Sequence, residues 1–209
     1  MASANVATVF VVDDDASIRA SIQGLLKSAG LWSEGFETAE KFLERKPLDG
    51  PSCLILDVSL PGVSGIVFQE QLKKAGIHIP IIFVTGHGDI PMTVKAMKSG
   101  AVEFLPKPFG RQQLLDAVQQ ALEIDAVRRR QQAEIAQLQQ RYGTLTPRER
   151  EVMSLVILGM LSKQIGSKLG TSEVTVKIQR GQVMRKMQAQ SLPDLVRIAE
   201  RLGLPSQRY

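Results

Sequence analysis

The sequence predicts two folded units: a doubly wound α/β unit on a five-stranded parallel sheet, then a smaller all-α four-helix unit, joined by a long helical linker. Three observations lead there. From Val6 to about Gln120, short apolar runs alternate with amphipathic stretches, the pattern of successive βαβ units. Residues 111–142 contain neither Gly nor Pro. From Thr144 onward, helix-capping residues recur at short intervals. The boundaries expected on this basis are 1–120, a linker over 121–143, and 144–209.

The strand-like runs are Val6–Val12, Trp32–Phe36, Cys53–Leu56, Ile81–Val84 and Val102–Leu105. The first, third and fourth are nearly unbroken apolar segments, as strands buried on both faces require. Between them, apolar positions recur at helical spacing: Ile18, Ile22, Leu25 and Leu26; Ala39, Phe42 and Leu43; Ile66, Val67, Phe68 and Leu72; Met92, Val94, Ala96 and Met97; Leu114, Leu115 and Val118. Right-handed crossovers then place helices on both faces of the sheet. The rod from Arg111 would run roughly 45 Å before Gly143 stops it. A heptad seam through Leu114, Ala117, Ala121, Ile124, Ile135, Leu138 and Tyr142 is interrupted at Arg128 and Gln131, which favours a solvated spacer over a coiled coil.

Thr146-Pro147-Arg148-Glu149 is a capping box with Pro at the first helical position, and Val152, Leu155, Val156 and Leu158 supply the apolar face that follows. Gly159 ends that helix. Ser162 is the expected cap of a second helix ending at Gly170, Ser172 of a third reaching about Met187, and a fourth begins near Ser191.

At 209 residues, with 44% hydrophobic and 22% charged side chains, the composition excludes a disordered, collagenous or disulfide-stapled chain. The single cysteine, Cys53, lies in an apolar run and reads as a buried structural thiol, which fits a reducing compartment. No basic segment precedes a long apolar one at the N-terminus, and no apolar stretch approaches the ~18 residues a bilayer demands. The expected location is the cytoplasm, without membrane association. Charge is uneven: residues 1–120 carry 11 basic and 13 acidic side chains, whereas residues 144–209 carry 11 and 5, a net +6. A small basic module suits a polyanion such as nucleic acid, although a solvated lysine-rich surface has the same count.

In a doubly wound sheet, ligands bind beyond the carboxyl ends of the strands. Polar residues gather there: Asp13-Asp14-Asp15 after the first strand, Asp57 after the third, Thr85-Gly86 after the fourth, and Lys107 between two prolines after the fifth. Asp13, Asp14 and Asp57 form an acidic set whose mutual repulsion a hard divalent cation such as Mg²⁺ would relieve. A carboxylate can attack phosphorus and become an acyl phosphate when cations neutralise the phosphoryl oxygens, and Lys107 supplies one. The Thr85 hydroxyl is placed to hydrogen-bond a phosphoryl oxygen.

These residues, with Leu60-Pro61-Gly62-Val63-Ser64-Gly65 after Asp57 and Lys107-Pro108-Phe109, resemble a two-component receiver domain. The resemblance covers about 120 residues and implies the flavodoxin-like strand order 2-1-3-4-5. It further implies that Asp57 accepts phosphate from a sensor histidine kinase, that Asp13, Asp14, Asp57 and the Ser59 main-chain carbonyl hold Mg²⁺, and that Lys107 binds phosphate next to a cis Lys107–Pro108 peptide. Thr85 and Phe104 would be a switch pair that moves inward on phosphorylation. Other readings stand beside these. Asp15 or Ser17 caps the following helix, Asp89 the one near Pro91, Phe104 is a core residue, and His87 is a surface loop residue. A haloacid-dehalogenase-like phosphatase would use Asp13 as nucleophile, but it needs a later acidic pair and leaves Asp57 idle.

In the C-terminal unit, the third helix has Val176, Val183, Met184 and Met187 for an inward face, with Lys177, Arg180, Arg185 and Lys186 for solvent or DNA. Leu145–Val152, with Val174–Lys177 and Val183–Met187, resembles the LuxR-type DNA-binding domain, and joined to a receiver this is similar to the NarL/FixJ regulators. The resemblance implies that Lys177, Ile178, Gln179 and Arg180 face the groove, that Ser172 and Thr175 contact phosphate, and that the last helix is a dimer surface. Gly181, Gly166 and Ser162 depart from the side chains common in relatives. Ser191–Arg197 and the third helix are also similar to regulators of aromatic catabolism.

The implied protein is not an enzyme. Phosphorylation at Asp57 would drive homodimerisation, through a face to which Val94, Lys95, Met97 and Lys98 contribute. Binding to double-stranded promoter DNA and to RNA polymerase would then activate transcription. A four-helix packing domain or a protein-interaction adaptor would instead show weak, sequence-insensitive DNA binding.

Overall fold

A computed structural model describes residues 6–45, 50–86 and 90–205, with the side chains of residues 90–92 and 95 excepted. His87 and Asp89 lie outside the described residues, as does the Lys95 side chain. The chain divides into one compact unit from Met1 to Arg129 and another from Arg130 to Tyr209.

In the first unit, strands β1 (Thr8–Val12), β2 (Trp32–Phe36), β3 (Ser52–Asp57), β4 (Ile81–Thr85) and β5 (Glu103–Pro106) form one parallel sheet in the order β2-β1-β3-β4-β5. The expected order is therefore observed. Register aligns the strand ends: Val12 pairs with Leu56, Asp57 with Val84, and Thr85 with Pro106. Consequently the polar residues at those ends emerge along one edge.

Side-chain alternation divides the sheet between two cores. Phe10, Val12, Leu54, Leu56 and Phe83 face helices α2 (Ala39–Leu43), α3 (Gly65–Lys74) and α4 (Ile90–Lys98), where Phe42, Phe68, Leu72 and Ala96 complete the packing. Val9, Val11, Cys53, Ile55, Ile82 and Val84 face α1 (Ala16–Ser28) and the start of α5 (Arg111–Gly143), against Ile22, Leu26, Leu114, Ala117, Val118 and Ala121. Such double burial explains the unbroken apolar runs of β1, β3 and β4. On α4, Val94 and Met97 are exposed and Ala96 is buried.

Asp15 is the cap of α1, accepting from the Ser17 and Ile18 amides. Strand β1 begins at Thr8 rather than Val6, and β5 starts one residue later than its apolar run suggests.

Helix α5 is continuous for 33 residues, and the interrupted heptad acquires a physical explanation. Leu114, Ala117 and Ala121 belong to the first unit's core and Leu138 to the second unit's core, with Tyr142 packed against it. The break at Arg128 and Gln131 brackets the division between the units. Five of the seam residues thus serve packing within a unit, whereas Ile124 is exposed and Ile135 half-buried, and with Ala121, Asp125 and Leu138 buried the stretch expected as a linker is more than a solvated spacer.

Cys53 is fully buried, and desolvation, aided by the charge of Asp125, pushes its thiol up to about 12. It is expected to resist iodoacetamide at pH 8 in the folded protein and to react completely in denaturant. Alkylation of the native protein at the denatured rate would contradict this environment.

In the second unit, α6 (Pro147–Ile157), α7 (Ser162–Leu169), α8 (Glu173–Met187) and α9 (Leu192–Arg201) enclose Val152, Met153, Val156, Ile165, Val176, Val183, Met187, Leu195, Ile198 and Ala199. The capping box at Thr146 and Glu149 is formed, and Ser172 and Ser191 cap α8 and α9. Ser162 is a departure from expectation: it is the first residue of α7, and the Leu161 amide before it donates to the Gln164 side chain. Gly166 stands in place of a larger residue because a Cβ there would lie 2.8 Å from the Thr171 carbonyl oxygen.

Candidate phosphoacceptor site and DNA-facing helix

The flush ends of β1 and β3 bring Asp13 and Asp57 together, and the segment after β5 brings Lys107 between them. The Lys107 ammonium lies 2.8 Å from Asp13 Oδ2 and 2.8 Å from Asp57 Oδ2. Main-chain amides take the other carboxylate oxygens: Asp15 N–H donates to Asp13 Oδ1 at 2.9 Å, and Ser59 N–H to Asp57 Oδ1 at 3.0 Å. Asp13 and Thr85 are fully buried, Asp57 is nearly so, and Asp14 is exposed.

Burial pushes the Asp13 carboxyl above its ordinary value, despite the Lys107 ammonium and the Asp15 amide. Burial also acts against the Lys107 charge, yet two carboxylates at hydrogen-bond distance outweigh it and hold the amine above its ordinary value. One ammonium shared between two acids therefore stays charged.

Carboxylate oxygens of Asp13, Asp14 and Asp57 all lie within 4.8 Å of one another. Three hard oxygen donors, one of them open to water, fit Mg²⁺, which favours oxygen and retains part of its hydration shell.

The Lys107–Pro108 peptide is cis, and the Lys107 amide donates to the Thr85 carbonyl at 2.7 Å. Phe104 is half-buried, its ring centroid 6.2 Å from that of Phe83. Two further residues support the site: Arg19, which the sequence did not mark, and Gly65, which it marked only as part of the loop motif after Asp57. An Arg19 guanidinium nitrogen donates to the Asp13 carbonyl at 2.6 Å. Gly65 is required because a Cβ would fall 2.4 Å from the Asp57 carbonyl oxygen. The Gly-containing loop carried that signal, but only the turn back onto β3 reveals its purpose.

On α8, Lys177 and Ile178 are exposed, as are Ser172 and Arg185. Lys177 pairs with Glu173 at 2.9 Å, Arg185 hydrogen-bonds Gln182, and the Ser172 hydroxyl accepts from the Thr175 amide at 3.1 Å. Gln179 and Arg180 are half-buried, Arg180 reaching the Ser162 hydroxyl at 3.2 Å. Lys186 corrects the expectation of an outward cation. It turns inward, donating to Glu149 at 2.6 Å and to the Thr144 carbonyl at 3.2 Å, because the capping box of α6 lies beside it. Its role here is to hold α8 on α6.

The Lys186 ammonium, with the Thr146 amide, holds the Glu149 carboxyl below its ordinary value of 4.5. A lowered carboxyl stabilises the fold above its unfolded-state value, and that contribution vanishes as pH falls through the folded-state value. Glu149→Gln is accordingly expected to cost about 1 to 2 kcal/mol at pH 7, read from amide exchange of α6 and α8. The deficit should close below pH 4.5; an equal deficit at pH 3 and pH 7 would contradict the pairing.

Comparison with known proteins agrees with this layout. The response regulator receiver domain matches residues 9–119, and the bacterial regulatory proteins of the luxR family match residues 143–199. The chain is 54% identical over 198 residues to Nodulation protein W of Bradyrhizobium diazoefficiens, covering 95% of this chain and 87% of that one. It is 44% identical to the response regulator protein TodT of Pseudomonas putida, covering 93% and 86%. The solved structure of the response regulator StyR superposes with a TM-score of 0.84 at 50% identity, covering 94% of this chain and 99% of that one. Among the described residues, no helix is long and apolar enough to cross a membrane. With the acidic edge of a receiver and the helices of a LuxR-type module on one chain, the protein belongs to the NarL/FixJ-type response regulators, which are transcription regulators and not enzymes.

Proposed function

We propose that Asp57 carries a phosphoryl group taken from a sensor histidine kinase, and that the phosphorylated protein dimerises and binds promoter DNA to activate transcription. The observation that supports this most directly is the single Lys107 ammonium shared by two buried carboxylates beside an exposed third. In the transfer, an Asp57 oxygen attacks phosphorus, the P–N bond to the kinase histidine breaks, and an acyl phosphate forms. Lys107 is within reach of the oxygens on which negative charge grows, and the Ser59 amide holds the second Asp57 oxygen. Asp13, Asp14, Asp57 and the Ser59 carbonyl would hold Mg²⁺, which when bound neutralises the phosphoryl oxygens.

Thr85 and Phe104 are the proposed switch pair. Phe83, Thr85 and Phe104 share one face of the sheet by strand alternation and register, so a hydroxyl drawn towards phosphate would vacate room beside the ring. The exposed Val94, Met97 and Lys98 are proposed dimer-face contributors. Dimerisation would present two DNA modules to adjacent half-sites, and contact with RNA polymerase would follow at the promoter. The proposed parts are a receiver over 1–120, a helical linker over 121–143 and a DNA-binding domain over 144–209, with Ser172, Thr175, Lys177, Ile178, Gln179, Arg180 and Arg185 facing DNA.

The test is acetyl phosphate with Mg²⁺, followed by peptide mapping, sedimentation and promoter footprinting of wild type and Asp57→Asn. Wild type is expected to gain phosphate on the Asp57 peptide, to dimerise and to footprint at lower concentration. Asp57→Asn should do none of these; if it dimerised and bound as phosphorylated wild type does, the scheme would be wrong.

A further inference from the structure

The recognition helix α8 is apolar on two opposite sides. Val176, Val183 and Met187 are buried in the second unit's core. At about 100° per residue, the direction opposite them is occupied by Val174, Ile178, Gly181 and Arg185. Val174 is 67% exposed and Ile178 60% exposed, so the two most outward positions of the first two turns carry branched hydrocarbon. On a solvated helix that strip is normally polar.

Gly181 continues the strip with no group able to hydrogen-bond a base. A Cβ there would meet nothing within 4 Å, so packing in this chain does not call for glycine. Glycine is among the poorest formers of a helix interior, and its position leaves the strip low and smooth. Lys177 and Arg185 lie at or beside the strip, within a segment of net charge +6, which makes a polyanion the complementary occupant. In the major groove, the apolar feature available to such a surface is the C5-methyl group of thymine.

We propose that Val174 and Ile178 are specificity-determining residues that read thymine methyl groups, so that operator choice depends on methyl contacts as well as on hydrogen bonds from Lys177. This rests on α8 being the major-groove helix. Lys177 is held by its i,i+4 ion pair with Glu173 at the flank of the strip, where it neutralises phosphate or reaches a base edge. The Val174–Ile178 pair, one turn apart, spans the step between neighbouring bases.

The experiment uses the full-length chain, treated with acetyl phosphate and Mg²⁺, to select duplexes from a randomised pool. In the enriched site each thymidine is then replaced singly by 2′-deoxyuridine, which removes only the methyl. Wild type is expected to lose roughly threefold to tenfold in affinity at one or two positions per half-site. In the Val174→Ala/Ile178→Ala double variant those same replacements should cost less than twofold, while the salt dependence stays as in wild type. Both side chains are exposed, so folding is unaffected. Equal deoxyuridine penalties in wild type and variant, or no penalty in either, overturn the proposal while leaving groove binding intact. Failure of wild type to enrich any sequence overturns the groove-helix reading and this proposal with it.

Discussion

Lys107→Met is expected to destabilise the first unit by about 3 kcal/mol at pH 7 without divalent cations, with the deficit shrinking when Mg²⁺ is added or the pH is lowered. The Lys107 side chain is only 16% exposed and balances two carboxylates whose side chains are 1% and 8% exposed. Removing one member of a buried charged set leaves the others uncompensated, at a cost of roughly 3–5 kcal/mol. The pH dependence follows from Asp13. Its carboxyl already sits above the ordinary value of 3.8 because of burial, so protonation favours the folded state. That gain is full below the unfolded-state value and is lost as pH rises through the folded-state value. Without the ammonium the folded-state value rises further, and the loss between acid and neutral pH deepens. Trp32, the single tryptophan, lies in this unit and reports its urea unfolding between pH 5 and 8. A variant as stable as wild type at pH 7, and indifferent to both Mg²⁺ and pH, would show that the two acids do not depend on this cation.

Asp125→Ala is expected to cost about 2 to 3 kcal/mol in the same assay. Asp125 is fully buried on α5, where it accepts from the Ser52 amide at 2.8 Å, from Arg128 Nε at 3.1 Å and from Arg129 Nε at 2.6 Å. Ser52 begins β3, the strand that ends in Asp57. Truncation orphans the buried Ser52 amide, whereas the two arginine side chains, 30% and 32% exposed, recover part of their loss in water. Asp125→Asn keeps an acceptor for Ser52 and should lose roughly half as much. Accelerated exchange of the Ser52 amide in Asp125→Ala, with Asn intermediate, checks the assignment; equal exchange in all three proteins would contradict it.

Much of the receiver was legible in sequence because its signals are local. Double burial makes β1, β3 and β4 continuous apolar runs, and the strand ends are marked by Asp13, Asp57 and Thr85. Capping residues mark helix starts at Thr146, Ser172 and Ser191. The misreadings are equally physical. Ser162 has a capping side chain, but Gln164 satisfies the Leu161 amide and the helix starts one residue earlier than a Ser162 cap implies. Lys186 has the spacing of an outward cation on α8, yet a carboxylate 37 positions earlier draws it inward. The interrupted heptad on α5 reads as a solvated spacer, yet its two ends enter two different cores.

By itself, the sequence determined the succession of elements, their caps, the parallel sheet and the acidic residues at its strand ends, because periodicity and backbone preference act over a few residues. Only the tertiary structure decided that Lys107 serves Asp13 and Asp57 across 94 and 50 positions, that Asp125 holds Ser52 across 73, and that Val174 points away from the core. Those pairings depend on strand register and on which surfaces the packed helices cover. Both are set by the summed burial of whole faces, and no short stretch of sequence contains that sum.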